Sequence, residues 1–304
     1  MENSLKINIF TFLKKNIVMV IAFFAAFITT FFIPIDKTYV DYFDFKTLTC
    51  LFCVLAVVCA LKNVNFFYML ARKIVQLFKN ARMSILALVY ITFIGSMLIA
   101  NDMALMTFLP LGYLVVKKTG QEKYMAFTFI MQNIAANLGG MLTPFGNPQN
   151  LYLYTKFNIP DGEFIEIMFI PFAVSVALIT ACCLFVKKEK MEIIERDEKP
   201  LPPKRTVFYL LLFALTVAMV FRLVWYPIVL AVVVPSIFII DKKALAKVDY
   251  GLLFTFVAFF IFAGNMARID AVRDFFSWML NKDTLLVSTL SCQFISNVPS
   301  SILL

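Results

Sequence analysis

The sequence predicts an all-α polytopic membrane protein, and three observations carry that prediction. Of 304 residues, 62% are hydrophobic and 15% charged, against roughly 45–50% and about 25% in soluble domains; mean hydropathy is +0.86. The apolar residues fall into runs suited to a hydrocarbon core about 30 Å thick. Two of those runs are broken by polar residues: IANDMALMTFLP at 99–110, by Asn101 and Asp102, and CQFISNVPSSILL at 292–304, by Ser296, Asn297 and Pro299. An aspartate at mid-bilayer costs about 2.5–3.5 kcal/mol on the insertion scale, so such a break implies a use. A soluble enzyme and a nucleic-acid partner are excluded, and the net charge of +9 is read as positive-inside topology.

Lys14 and Lys15 precede the first apolar run, 17–33. Its aromatic end and lack of a small-residue cleavage site predict a retained helix, with the N-terminus cytoplasmic. The next loop carries Asp36, Asp41 and Asp44 and is expected outside; a second helix over 45–61 returns. NVNFFYMLARKIVQLFKNAR then sets Phe66, Met69, Leu70, Ile74, Leu77 and Phe78 at helical spacing, opposite Arg72, Lys73, Lys79 and Arg82. That is an amphipathic helix for the cytoplasmic interface.

Residues 83–116 hold the Asn101-Asp102 break and end at Lys117 and Lys118. Basic flanks at both ends allow a re-entrant hairpin with its tip at mid-membrane, or two full spans with the polar pair outside. The re-entrant form is preferred, because a full turn would carry Gly, Pro or several polar residues. After an apolar run at 124–138, GGMLTPFGNPQN (139–150) places three glycines and two prolines inside a span, the alternative being an external loop between two short helices. An uninterrupted helix does not accommodate them, and unwound backbone at membrane depth lines a cavity or lies within protein.

A helix over 164–186 leads to residues 187–205, with seven basic and five acidic residues and three prolines, a solvated linker. The expected division is residues 1–186 as N-terminal helix and first repeat, 187–205 as cytoplasmic linker, and 206–304 as second repeat. In the second part, helices are expected over 207–221, 224–240 and 250–266, with Arg222, Trp225 and Tyr226 as interface anchors. ARIDAVRDFFSWMLNKD forms a second amphipathic helix with balanced charge. The order of helix, surface helix, apolar arm and polar break thus occurs twice with opposite charge bias, the pattern of an inverted-repeat carrier. By that symmetry a returning arm and a second broken helix, on the order of 50–80 residues, would follow Leu304.

The residues suggest their own chemistry. Helix N-termini at hairpin tips present unpaired N–H groups to anions. Unwound carbonyls over Thr143–Asn147 suit a cation, and Asn101 and Asn297 offer donors and acceptors to a carboxylate or oxyanion. Asp102 either carries a proton or balances a cation for coupling, or caps the second arm; both roles stay open. No histidine is present, so nucleophile–His catalysis and the commonest metal ligand are absent. The six cysteines all lie in apolar runs and read as small buried residues; Cys50-x-x-Cys53 lacks the context of a redox motif.

ANDMALMTFLP closely resembles the motif of arsenite permeases and their citrate-transporter-like relatives in the ion transporter superfamily. GGMLTPFGNPQN resembles the Gly-Gly, Thr and Gly-x-Pro-x-Asn signature of that superfamily's broken helix, and SNVPSSILL resembles its second hairpin tip. Sodium–dicarboxylate carriers of the superfamily have Ser-Asn-Thr at both tips. Here the tips read Ala100-Asn101-Asp102 and Ser296-Asn297-Val298, a departure towards the arsenite permease branch. The resemblance implies an elevator-type carrier with two re-entrant hairpins, a homodimer in the plasma membrane. It implies a first half-site for substrate and Na+ at Asn101, Gly146 and Asn147, with Thr143, Pro148 and Asn150 completing the signature, and a second at Ser296 and Asn297. No bound cofactor is implied beyond a coupling H+ or Na+; the partners are a small anion and the lipid bilayer.

The function expected is therefore secondary transport of a small organic acid or oxyanion. Arsenite efflux and Na+/H+ exchange are the alternatives within the superfamily. From another class, an intramembrane aspartyl protease lacks a second deep carboxylate, whereas an inert or partner-dependent membrane fragment follows if the chain stops at Leu304.

Overall fold

The computed structural model describes residues 16–190, 201–295 and 297–303. Helices follow one another throughout: α1 Ile17–Thr29, α2 Phe45–Asn63, α3 Phe66–Gln76, α4 Ala81–Ile99, α5 Asn101–Lys118, α6 Met125–Gly139, α7 Pro148–Lys156, α8 Asp161–Leu184, α9 Pro203–Val220, α10 Tyr226–Ile240, α11 Lys242–Ala246, α12 Tyr250–Ala267, α13 Asp270–Lys282, α14 Thr284–Ile295 and α15 Asn297–Leu303. No strand occurs among the described residues. Among them, α2, α4, α8, α9 and α12 are long and apolar enough to cross a membrane. The protein is an all-α polytopic membrane protein.

The chain forms two compact units, one of Met1–Leu48 with Asp249–Leu304, the other of Thr49–Val248. In the first, α1 packs on α12 through Ala22, Ala26 and Ala258, small residues that allow close helix approach. Within that contact Asn265 Nδ2 donates to Thr29 Oγ1 at 2.9 Å. Asp36 Oδ1 accepts from the Thr38 amide and caps a short 3-10 turn, Lys37–Tyr42. Arg268, just past α12, closes on that turn through Asp36 Oδ2 at 2.8 Å, Tyr42 at 3.0 Å and Thr38 at 2.9 Å.

In the second unit α4 lies in a core with α6 and α8: Ile85, Val89 and Phe93 meet Met131, Ala135, Ile179 and Cys183. α8 is mostly exposed, as a lipid-facing helix should be. Its end is tied to the start of α4, where the Ala81 amide donates to the Glu189 carbonyl at 2.8 Å and Arg82 Nε to the Val186 carbonyl at 2.6 Å.

On α3, Phe67 and Ala71 turn inward, whereas Leu70 stays exposed, as does Leu77 just past its end. Arg222 is not a free interfacial anchor. Its Nη2 donates to the Tyr154 carbonyl at 2.8 Å and its guanidinium lies 4.2 Å from the Tyr154 ring centre. The α9–α10 turn reaches this contact with Arg222 at φ +63°. Cys50, Cys53, Cys59 and Cys183 are buried thiols, but Cys182 is exposed and Cys292 intermediate.

Candidate functional site

The site begins at a one-residue reversal. α4 stops at Ile99, Ala100 adopts φ 63° and ψ 154°, and α5 starts at Asn101. A positive φ at a residue with a Cβ costs about 1–3 kcal/mol, and such strain gathers at working sites. The α5 ladder opens with the Ala104 amide donating to the Ala100 carbonyl at 3.0 Å. Asn101 Oδ1 accepts from the Asp102 amide at 2.9 Å. Asp102 is exposed in the first turn of α5, where its carboxylate complements the positive end of the macrodipole. Ala100, not Asp102, stands at the cap position, and it offers no side-chain cap.

α6 supplies the next layer. Asn101 Nδ2 donates to Asn137 Oδ1 at 3.1 Å, and Asn137 Nδ2 donates to Asn133 Oδ1 and to the Asn133 carbonyl, each at 3.0 Å. An asparagine ladder therefore runs from the tip along one face of α6. Neither Asn133 nor Asn137 emerged from the sequence reading, which treated 124–138 as simply apolar. Their signal was i,i+4 spacing of two amides in an apolar helix.

The helix ends where Gly139-Gly140 lowers its propensity and Pro144 forbids its continuation. Gly140–Leu142 makes a 3-10 turn and Thr143 is extended. Thr143 Oγ1 donates to the Met97 carbonyl at 2.7 Å, fastening the unwound segment beside the hairpin tip. The Gly146 amide donates to the Thr143 carbonyl at 3.2 Å. A Cβ at Gly146 would stand 2.3 Å from the Gly140 carbonyl oxygen, so the two backbones meet more closely than any other residue permits. Pro148 then starts α7 at a position where its missing N–H costs nothing.

Asn150, 8% exposed, donates from Nδ2 to the Met141 carbonyl at 3.2 Å. Asn147, 5% exposed, is different. Its Oδ1 is buried and accepts no hydrogen bond among the described residues, and it does not cap α7. A buried carbonyl-type oxygen without a donor costs about 1–3 kcal/mol and suits a cation. Gly140, Thr143, Gly146, Asn147, Pro148 and Asn150 are thus brought together. Asn101 is joined to them through Asn137 and the hairpin arm; among the described residues it bonds Asp102 and Asn137, not Asn147. Asn297 begins α15 in the other unit and is exposed, while Ser296 lies outside the described residues. In that second helix pair Ser291 and Ser300 share a hydroxyl–hydroxyl hydrogen bond and Ser301 Oγ donates to the Val298 carbonyl at 2.8 Å.

A strained helix tip, an amide ladder and an unwound segment with a spare buried oxygen thus lie together in one unit. A family model described as citrate transporter matches residues 8–304. The chain belongs to the citrate transporter family. It is 32% identical over 263 residues to the uncharacterized transporter MJ0456 of Methanocaldococcus jannaschii, covering 86% of this chain and 71% of that one. It is 26% identical over 283 residues to the inner membrane protein YbiR of Escherichia coli K12, covering 90% and 75%. This member of the citrate transporter family is a multi-pass membrane protein of a transporter family.

Proposed function

We propose that the protein is a secondary active carrier of a small anion, an organic acid such as citrate or a dicarboxylate, or an oxyanion. Coupling to Na+ or H+ drives it. The observation that carries this reading is the buried, unpartnered Asn147 Oδ1 beside the close-packed Gly140 and Gly146 backbones. It supports a Na+ site whose further half is Asn101. The N-termini of α5 and α7, at the positive ends of their macrodipoles, favour the substrate's negative charge. In this reading the hairpin is re-entrant, Asn297 and Ser296 contribute the second half-site, and the carrier works by an elevator motion as a plasma-membrane homodimer with its N-terminus in the cytoplasm.

The test is citrate uptake into proteoliposomes under an imposed Na+ or pH gradient. Asn101→Ala and Asn147→Ala are expected to abolish uptake while the protein inserts normally; unchanged uptake by either sinks the assignment. The carboxylate of Asp102 at the tip favours a second reading, proton-coupled arsenite efflux or Na+/H+ exchange. Arsenite tolerance in expressing cells without citrate or succinate uptake would select it.

A further inference from the structure

Away from the tip, a second feature of the Thr49–Val248 unit has chemistry that the translocation site does not use. A cavity of about 170 Å3 lies between the α2–α3 corner and the middle of α5, lined by Lys62, Asn65, Phe67, Tyr68, Met106, Thr107 and Pro110. One cation and three neutral hydrogen-bonding side chains face it, with no carboxylate among the lining residues. Phe67 and Thr107 are 6% and 8% exposed and form its floor, whereas Met106, 64% exposed, stands at its mouth.

The Lys62 ammonium is half-buried and makes no hydrogen bond or ion pair among the described residues. Its surroundings make that charge more isolated. Cys59 and Lys247 are near enough to act on it with opposite sign, and the carboxylate of that corner is committed elsewhere. Asp241 accepts from Asn63 Nδ2 at 2.9 Å and from the Ala244 amide at 3.2 Å, while Asn63 Oδ1 accepts from Lys247 Nζ at 2.7 Å. The Asn63 amide thus stands between Asp241 and Lys247, and neither partner turns to Lys62. A half-buried ammonium without a counter-charge is costly unless an anion completes it.

We propose that the Lys62 cavity is an anion-binding site, distinct from the hairpin tip, that takes the oxygens of a carboxylate or phosphate group. Lys62 supplies the charge, and the Asn65 amide at the wall supplies a neutral polar contact. The cavity accommodates one small anion or one lipid headgroup, and the same chemistry recognises both.

The full chain is placed in phosphatidylcholine nanodiscs and titrated with radiolabelled citrate, in an Asn101→Ala background that silences the tip. A free small anion as occupant predicts that citrate binding survives Asn101→Ala. It then falls about tenfold or more with Lys62→Gln, as expected for loss of a charge-assisted contact, and also with Met106→Trp, which fills the mouth. Lys62→Arg keeps it. A lipid headgroup as occupant predicts instead that phosphatidylglycerol remains bound in native mass spectra of wild type and Asn101→Ala and is lost from Lys62→Gln. Absence of both ligands from the Asn101→Ala protein, or binding of either that ignores Lys62→Gln and Met106→Trp, overturns the proposal. Silent citrate uptake by wild type would count against the carrier assignment and leave this binding result standing.

Discussion

Gln132 fills the space above Gly112: a Cβ at position 112 would lie 2.4 Å from Gln132 Oε1. Gln132 is fully buried in α6, and its Nε2 donates to Thr92 Oγ1 in α4 at 3.0 Å and to the Phe108 carbonyl in α5 at 3.1 Å. One amide therefore joins both arms of the hairpin to the helix that ends in the unwound segment.

Gly112→Ala forces that amide aside and breaks two buried hydrogen bonds. The expected loss is about 1–3 kcal/mol, the usual range for overpacking a filled core. A fluorescence-detected thermal unfolding series in detergent checks it. Gln132→Leu, which removes the polar group altogether, is expected to restore much of the loss in the Gly112→Ala background.

Asn137→Ala cuts the ladder between Asn101 and Asn133. Because Asn137 is exposed and its partners are polar side chains and one carbonyl, the fold should tolerate the change within about 1 kcal/mol. Transport should not, since Asn101 loses its only side-chain partner among the described residues. The expected readout is an order-of-magnitude fall in citrate uptake with a near-wild-type thermal midpoint; equal uptake would assign the ladder to structure alone.

Arg222 covers the C-terminal end of α7, where a cation complements exposed carbonyls, and stacks on a fully buried Tyr154. Tyr154 in turn donates its hydroxyl to Asp161 at the start of α8. Arg222→Gln is expected to destabilise by about 1–2 kcal/mol, the range for a desolvated cation–π contact. Arg222→Lys should recover only part of this, because an ammonium lacks the planar stack. Thermal midpoints of the three proteins, measured together, decide the order.

Asp36 faces Arg268 across an exposed pair, with 41% and 37% of their side chains accessible. The guanidinium and the Thr38 hydroxyl hold its carboxyl down to about 2, below the ordinary 3.8. The lowered value means the ionised carboxyl favours the folded state. Its contribution is complete above about pH 4–5 and is lost as pH falls towards 2. Wild type and Asp36→Asn should therefore differ in thermal midpoint at pH 6 and converge at pH 2. High salt should narrow the gap at pH 6, since the pair is open to solvent.

The two sides of the hairpin were legible because an Asn-Asp pair in an apolar run has no local use. The helix break was legible for a similar reason: Gly139-Gly140, Pro144 and Pro148 act on the backbone where they stand. Asn133 and Asn137 escaped notice because a lone amide in an apolar helix is ambiguous until its neighbour is known. The Arg222–Tyr154 contact escaped notice for the converse reason, since aromatic and basic residues at a helix end usually mark the membrane interface.

The sequence by itself determined the class of protein, the positions of its apolar helices and the two places where they break. Those properties follow from composition and from backbone preferences that act within a few residues. Only the tertiary structure decided which polar groups meet: Asn101 with Asn137, Thr143 with Met97, Arg222 with Tyr154, and Lys62 with a cavity but no counter-charge. Such pairings depend on how α4, α5 and α6 pack and on which face each turns inward. Helical period narrows that choice, but contacts between distant segments make it.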